Sequence, residues 1–243
     1  MRSTLGIVQA RTGSSRLPGK VLRRLGGRTV LERVVRAAQA AEVLDALVVA
    51  TTTETRDDAV EVECARIGVA CHRGPTDDVL TRFLGVLDGH PTDAVLRFTA
   101  DCPLLDPRLV RLAATVFAAA PGLDYLSTSI ARTLPRGLDV EVVRADVLRA
   151  IDPLATAHHR THVTSYVYAH PRDFAVLGLT LQPDLSDLRL TLDTEDDWRL
   201  IEAIVEHFGD EPVEVRVLAD WLADRPELTV LNAHVRQKEL QQA

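Results

Sequence analysis

Apolar residues fall in two rhythms along the first half of this chain. LGIVQA (5–10), ALVVAT (46–51), VACHR (69–73) and DAVLRFTA (93–100) are short, mostly continuous apolar runs. Runs of this length without polar alternation predict strands covered on both faces. Between them the period lengthens. Leu31, Val34, Val35 and Ala38 recur at helical spacing, so 30–41 is a predicted helix, with Thr29 and Glu32 as its T-x-x-E capping box. DDAVEVECARIG reads as a helix closing at Gly68, DDVLTRFLGVL as one starting near Asp77, and DPRLVRLAATVFAAA as one with Pro107 in its first turn. Buried strands alternating with amphipathic helices predict an α/β fold, a mostly parallel sheet flanked by helices. Ligands of such sheets bind outside the carboxyl ends of the strands. The loops after Ala10, Thr51, Arg73 and Ala100 therefore share one rim.

Beyond Pro121 the rhythm changes. DYLSTS, GLDVEVV and DFAVLGLTL read as strands with little helix between them, and ATAHHRTHVTSYVYAH as helical. LRLTLDTEDDWRLIEAIVEHF returns to strand, acidic turn and helix, and VEVRVLADWLAD adds a strand or extended piece and a helix. No linker, repeat or low-complexity tract interrupts the pattern. The expectation is one domain over 1–243, with a β-containing subregion, inserted or appended, at about 121–185.

Composition narrows the function. The 243 residues are 46% hydrophobic, enough for one substantial core, and the net charge of −7 argues against a nucleic-acid binder. Basic residues concentrate instead at 11–28, which suits a small anion. Cys64, Cys71 and Cys102 are odd in number and form no C-x-x-C, which points to reduced thiols rather than a disulfide framework or a structural zinc site. The N-terminal apolar run ends at Arg11, and no stretch approaches the roughly 20 residues of a membrane span. A soluble, cytoplasmic protein without membrane contact is expected.

The candidate chemistry begins in QARTGSSRLPGK (9–20), which places Arg11, Arg16 and Lys20 in a loop with Gly13 and Gly19. Glycines let backbone N–H groups approach an anion, and the amides around Ser14 and Ser15 can form a nest. Three cations offset much of a triphosphate's charge. It is not a Walker A loop, since Val21 follows Lys20, and no G-x-G-x-x-G occurs. A solvated cationic loop with a Pro-Gly turn is the plain alternative. As a loop cation Lys20 is expected to carry no core packing, so Lys20→Ala should cut turnover and leave the fold intact.

The loop does not stand alone. QARTGSSRLPGKVL, VVATT, HRGPTDDVLTRF, VLRFTADCPLLDP, LPRGLDVEV, HVTSY and LRLTLDTEDDW follow one another from about 5 to 200. In that order they resemble the cytidylyltransferases that activate acidic sugars, the CMP-Kdo and CMP-sialate synthetase superfamily, and most of all its spore-coat-polysaccharide type. The resemblance implies a GT-A-like nucleotide-diphospho-sugar transferase fold and the reaction of CTP with an acceptor to give a CMP-acceptor and pyrophosphate. It also implies Mg²⁺ and suggests a homodimer.

In-line attack on the α-phosphorus needs positioning and charge neutralisation. Arg11, Arg16 and Lys20 would grip the β- and γ-phosphates, with Gly13 and Ser14 as further donors. Asp101 and Asp193 each read alone as a cap or turn residue; the resemblance assigns both to the metal, and hard carboxylate oxygens suit Mg²⁺. Asp196 and Asp197 read as first-turn helix carboxylates. The resemblance places the pyrimidine near Gln9, Ala10, Thr51, Arg73 and Gly74. The acceptor side would comprise Arg136 for an acidic group, Asp139 and Glu141 on one face of a strand, and Arg160 and His162. The related pattern reads Arg-Glu-His-Val-Thr where this chain has Arg160-Thr161-His162-Val163-Thr164, so the acceptor is not implied. His158 and His162 at i, i+4 lack a third ligand for zinc. Tyr125, Tyr166 and Tyr168 read as packing or dimer-contact residues. Transfer to a phosphonate or phosphate is the alternative acceptor chemistry. A GT-A-like glycosyltransferase and a non-catalytic nucleotide-binding subunit are the rival classes; against the first, DCP stands where D-x-D would lie.

Overall fold

The computed structural model describes residues 3–237. In chain order the elements are β1 (Thr4–Gln9), β2 (Arg24–Leu25), β3 (Arg28–Thr29), α1 (Val30–Ala40), β4 (Ala46–Thr52), α2 (Asp58–Ile67), β5 (Ala70–Gly74), α3 (Val79–Gly89), β6 (Ala94–Thr99) and α4 (Pro107–Ala119). There follow β7 (Tyr125–Ser127), β8 (Glu141–Arg144), α5 (Ala145–Ile151), α6 (His158–Thr161), α7 (Ser165–Ala169), β9 (Val176–Gly178), α8 (Glu195–Phe208), α9 (Val215–Ala223) and α10 (Pro226–Thr229).

A seven-stranded sheet runs in the order β5-β4-β1-β6-β8-β7-β9. The first four strands are parallel; β8 lies antiparallel between β6 and β7, and β9 returns parallel to β7. The apolar runs of β1 and β4 have no polar face because both faces are packed. On β1, Leu5 and Ile7 join the cluster under α3 and α5, while Val8 joins the one under α1, α4 and α8. On β4, Val48 and Ala50 face the first cluster and Val49 the second. The α/β prediction of a mostly parallel, helix-flanked sheet is borne out.

Strand order reverses at β1, with β4 on one side and β6 on the other. The connections therefore leave in opposite directions, opening a crevice beyond the carboxyl ends of β1 and β6.

Local signals hold closely for the first half. Thr29 caps α1, accepting from the Glu32 amide, although the Glu32 carboxylate pairs with Arg36 and Arg66 instead of closing the box. Asp78 caps α3, in line with the expected start near Asp77. Later expectations need correction. The 155–170 segment is two short helices broken at His162–Thr164. VEVRV is not a strand: α9 begins at Val215 with Glu214 as its cap residue. LRLTL joins no ladder, because its amides are shared between two loops. Leu190 N–H donates to the Arg136 carbonyl (2.6 Å) and Leu192 N–H to the Asp101 carbonyl (2.9 Å).

Candidate active site

The loop after β1 is pinned from beneath. Thr12 donates to Asp57 Oδ1 through its backbone N–H (2.7 Å) and its hydroxyl (2.6 Å), and Thr52 donates to the other carboxylate oxygen. Burial alone would raise the Asp57 pKa, but these hydrogen bonds hold it below the usual carboxylate value. Ser14 N–H and Gly19 N–H both donate to the Thr12 carbonyl (2.8 and 3.0 Å), so the loop closes on itself. Gly19 has φ of 67°, where a side chain would be strained, and this turn directs Lys20 inward rather than to solvent.

Lys20 is the centre of the arrangement and is 7% exposed. Its ammonium donates to Asp101 Oδ2 (2.8 Å), Asp193 Oδ1 (2.9 Å) and the Leu192 carbonyl (2.6 Å). Burial lowers its pKa, but the two carboxylates outweigh burial and hold it above the usual lysine value. Asp193 also meets Arg189 (2.7 Å) and Arg16 (3.2 Å); burial pushes its pKa up, and the three cations hold it below the usual range. The expectation that Lys20 is a loop cation without packing is thus corrected. Asp101 and Asp193 come together because Leu192 N–H binds the Asp101 carbonyl, stitching the loop after β6 to the segment before α8. Three oxygens of the hard type that Mg²⁺ prefers surround one cation position, so the donor set fits a divalent ion in exchange for the ammonium.

A cleft of about 500 Å³ opens here, and Gln9, Arg11, Gly13, Ser14, Arg16, Lys20, Asp101, Arg136, Asp139, His162 and Asp193 all line it. Among the described residues no carboxylate pairs with Arg11 or Arg136. Burial, with Arg132 adding to it, lowers the Arg136 pKa below the usual arginine value. Gly137 holds Arg136 in place: its φ is 103°, and a Cβ there would lie 2.5 Å from the Leu190 carbonyl. Only a glycine lets strand-like residues 136 and 189 bridge so closely. Asp139 pairs with Arg132 at 2.6 Å.

Other expected site residues are not brought to the cleft. Ala10 is buried beside it, its N–H donating to the Ala50 carbonyl (3.1 Å). Thr51 is fully buried. Arg73 turns to the Thr52 and Glu54 carbonyls and to Asp58 and Glu61, and Gly74 packs on Arg82. Arg160 is held by Asp78 and Asp152. Glu141 does not share a solvent face with Asp139: Asp139 precedes β8, whereas Glu141 is inside the sheet, paired with Arg97 and accepting from Tyr125 (2.8 Å) and Thr164. Burial raises its pKa and Arg97 with these donors pulls it below the usual glutamate value. Arg97 in turn donates to Gln9 Oε1 (3.2 Å) on the cleft wall.

Sequence reasoning missed Asp57, Arg97, Arg189 and the second role of Asp197. Asp197 is the capping-box partner of Thr194, as its first-turn position signals. It is also fully buried and accepts from Arg189 (2.9 Å) and Asn232 (2.8 Å). The run of acidic residues in DTEDD was the only sequence signal for that network.

Comparison with known proteins gives the family and the fold. A family model described as Cytidylyltransferase matches residues 5–217. An uncharacterized protein of Methanocaldococcus jannaschii is 35% identical over 96% of both chains. The spore coat polysaccharide biosynthesis protein SpsF of Bacillus subtilis is 34% identical over 87% of this chain and 90% of its own. The solved structure of a cytidylyltransferase from Leptospira borgpetersenii superposes with a TM-score of 0.91 at 26% identity, covering 98% of this chain and all of the other.

Proposed function

This chain belongs to the cytidylyltransferase family, and from that premise we propose that it transfers CMP from CTP to an acidic sugar or related small acid, releasing pyrophosphate. The observation that carries the reading is the meeting of Asp101 and Asp193, 92 positions apart (193 − 101), on one buried cation at the edge of the Arg11–Arg16 loop. Asp101 and Asp193 would hold Mg²⁺, which when bound neutralises charge on the phosphates. Arg11 and Arg16 bind the triphosphate, and Gly13 and Ser14 supply donors beside it. Arg97 fixes the Gln9 amide by engaging its Oε1, which leaves the Gln9 NH₂ as the donor for an acceptor atom of the base. Thr51, Arg73 and Gly74 drop out of the base site. Arg136, with no carboxylate partner among the described residues, takes the acceptor's acid group, and His162 and Asp139 flank it. The acceptor oxygen then attacks the α-phosphorus as the bond to pyrophosphate breaks. A preorganised cluster of cations stabilises the charge that moves to the leaving group.

The same reading takes 1–243 as one nucleotidyltransferase domain, with 121–185 supplying acceptor contacts and a homodimer surface. Leu177 on the edge strand β9 and Ile130 next to it, at 38% and 44% exposure, support that assignment. No helix among the described residues is long and apolar enough to cross a membrane.

The test is a melting series with Mg²⁺ and CTP, UTP, ATP, GTP or a UDP-sugar. A ligand at a hundredfold excess over its Kd adds about 2.7 kcal/mol of stability, and CTP should give the largest rise. Pyrophosphate release is then measured over acidic sugars, and Arg136→Ala should weaken the acid while sparing CTP. A larger rise with the UDP-sugar would favour a glycosyltransferase, and equal rises with all four triphosphates would remove base selection.

A further inference from the structure

A second cavity of about 250 Å³ adjoins the cleft, and Arg136 and Gln237 line both. Its floor is the strip 186–190; its outer wall is the end of α10 and the turn after it, residues 229–237, which lies beyond the 5–217 span of the family match. That wall is built into the site rather than resting on it. Asn232 is 2% exposed, and its Nδ2 donates to the Arg189 carbonyl (2.9 Å) and to Asp197 Oδ1 (2.8 Å). Arg189 spends its three nitrogens on three partners: Nε on Asp197, Nη2 on Asp193 and Nη1 on Gln237 Oε1 at 2.8 Å. One guanidinium thus locks the C-terminal wall to the carboxylate that faces Lys20. With its Oε1 engaged by Arg189, Gln237 keeps its NH₂ as a donor at the junction of the two cavities.

Resting on the CMP-transfer reading, we propose that this cavity is the subsite for the polyhydroxylated part of the acceptor, remote from its acid group, and that Gln237 is a specificity-determining residue. Polar residues outnumber apolar ones in the lining: Arg136, Ser186, Asp187, Thr229 and Gln237 offer donors and acceptors, beside Leu188, Leu190, Leu200 and Val235. Hydroxyl groups both donate and accept, so a polyol matches such a lining better than a phosphate or an apolar group does. The volume lies just below the usual range for a whole small-molecule site, which suits a portion of a ligand. The division is geometric: the acid group pairs with Arg136 at the shared edge, and the chain of hydroxyls runs away from the phosphates beneath the 229–237 wall.

Calorimetry on the full chain saturated with α,β-methylene-CTP, which cannot turn over, tests this. The probes are 3-deoxy-manno-octulosonate, an eight-carbon polyhydroxy acid, and D-glycerate, which has the acid group but no tail. Gln237→Glu keeps the acceptor for Arg189 and removes the donor; Ala233→Trp fills the cavity from its wall. Both should weaken octulosonate about fivefold to tenfold, the scale of one lost hydrogen bond with its packing. Neither should change glycerate or the nucleotide analogue by more than about twofold. Unchanged octulosonate affinity in both variants overturns the subsite, as does an equal loss for glycerate. Octulosonate that fails to bind the nucleotide-loaded parent also overturns it, while leaving CMP transfer standing. Failure of the analogue itself to bind counts against CMP transfer; titrating the acids without nucleotide then decides the cavity by the same two variants.

Discussion

Lys20→Met removes the ammonium shared by the Asp101 and Asp193 carboxylates, and the consequences differ from those of losing a surface cation. Methionine preserves the stem, so the perturbation is chiefly the charge. Deleting one partner of a buried ion pair typically costs about 3–5 kcal/mol, because the other charge stays behind uncompensated. Two features reduce that here. The Asp101 side chain is 29% exposed and rehydrates, and Asp193 keeps Arg189 at 2.7 Å and Arg16 at 3.2 Å. A loss of about 1–3 kcal/mol follows, a fall of roughly 2–10 °C in Tm for a chain of this size. The position between Asp101 Oδ2 and Asp193 Oδ1 then lacks its ammonium, so Mg²⁺ should raise Tm more in the variant than in the parent. The pH dependence has a definite sign. The Lys20 pKa lies above 10.5, so its contribution is complete below that value and lost as pH rises through the folded pKa. The Asp193 pKa lies below 3.8, so its contribution is present above that value and lost as pH falls through the folded pKa. The parent–variant difference should be flat from about pH 5 to 9 and shrink outside that window. Thermal melts of both proteins across pH, with and without Mg²⁺, read all of this. An unchanged Tm together with equal Mg²⁺ responses would refute the cation-exchange reasoning.

Asp101→Asn and Asp193→Asn should each raise the Mg²⁺ concentration needed for pyrophosphate release and lower the rate. Their double variant should lose much less than the sum, since both act on one ion. Parent-like behaviour of Asp193→Asn across a Mg²⁺ titration would reduce that residue to a structural partner of Lys20 and Arg189. Gly137→Ala puts a Cβ at 2.5 Å from the Leu190 carbonyl on a backbone with φ of 103°. It should cost about 2–4 kcal/mol in a urea titration, and an unshifted midpoint would mean that the 136–189 bridge yields freely.

Local pattern alone determined much of the first half of the chain. Strands packed on both faces must be largely apolar, and amphipathic helices must show a 3.6 period, so β1, β4, β6 and the helices between them were legible, and the half-exposed edge strand β5 was legible from its place between two helical stretches. The motif order also carried the family, because the residues that gather at the rim occur in a fixed sequence along the strand ends. Tertiary structure alone decided the rest. Whether 188–192 pairs as a strand depends on which amides meet it, and Arg136 and Asp101 take them one each. Lys20 reads as a loop cation until the φ of Gly19 turns it inward onto two carboxylates from distant segments. Glu141 reads as a face-mate of Asp139, but the ladder that begins at Glu141 takes its side chain into the sheet beside Arg97. Arg189, Asn232 and Gln237 give no periodic or motif signal, because a network joining three distant stretches is a property of their approach in space. Spacing along a chain encodes neighbours one helical turn or one pleat apart; it carries no information on which far segment will supply the opposite charge.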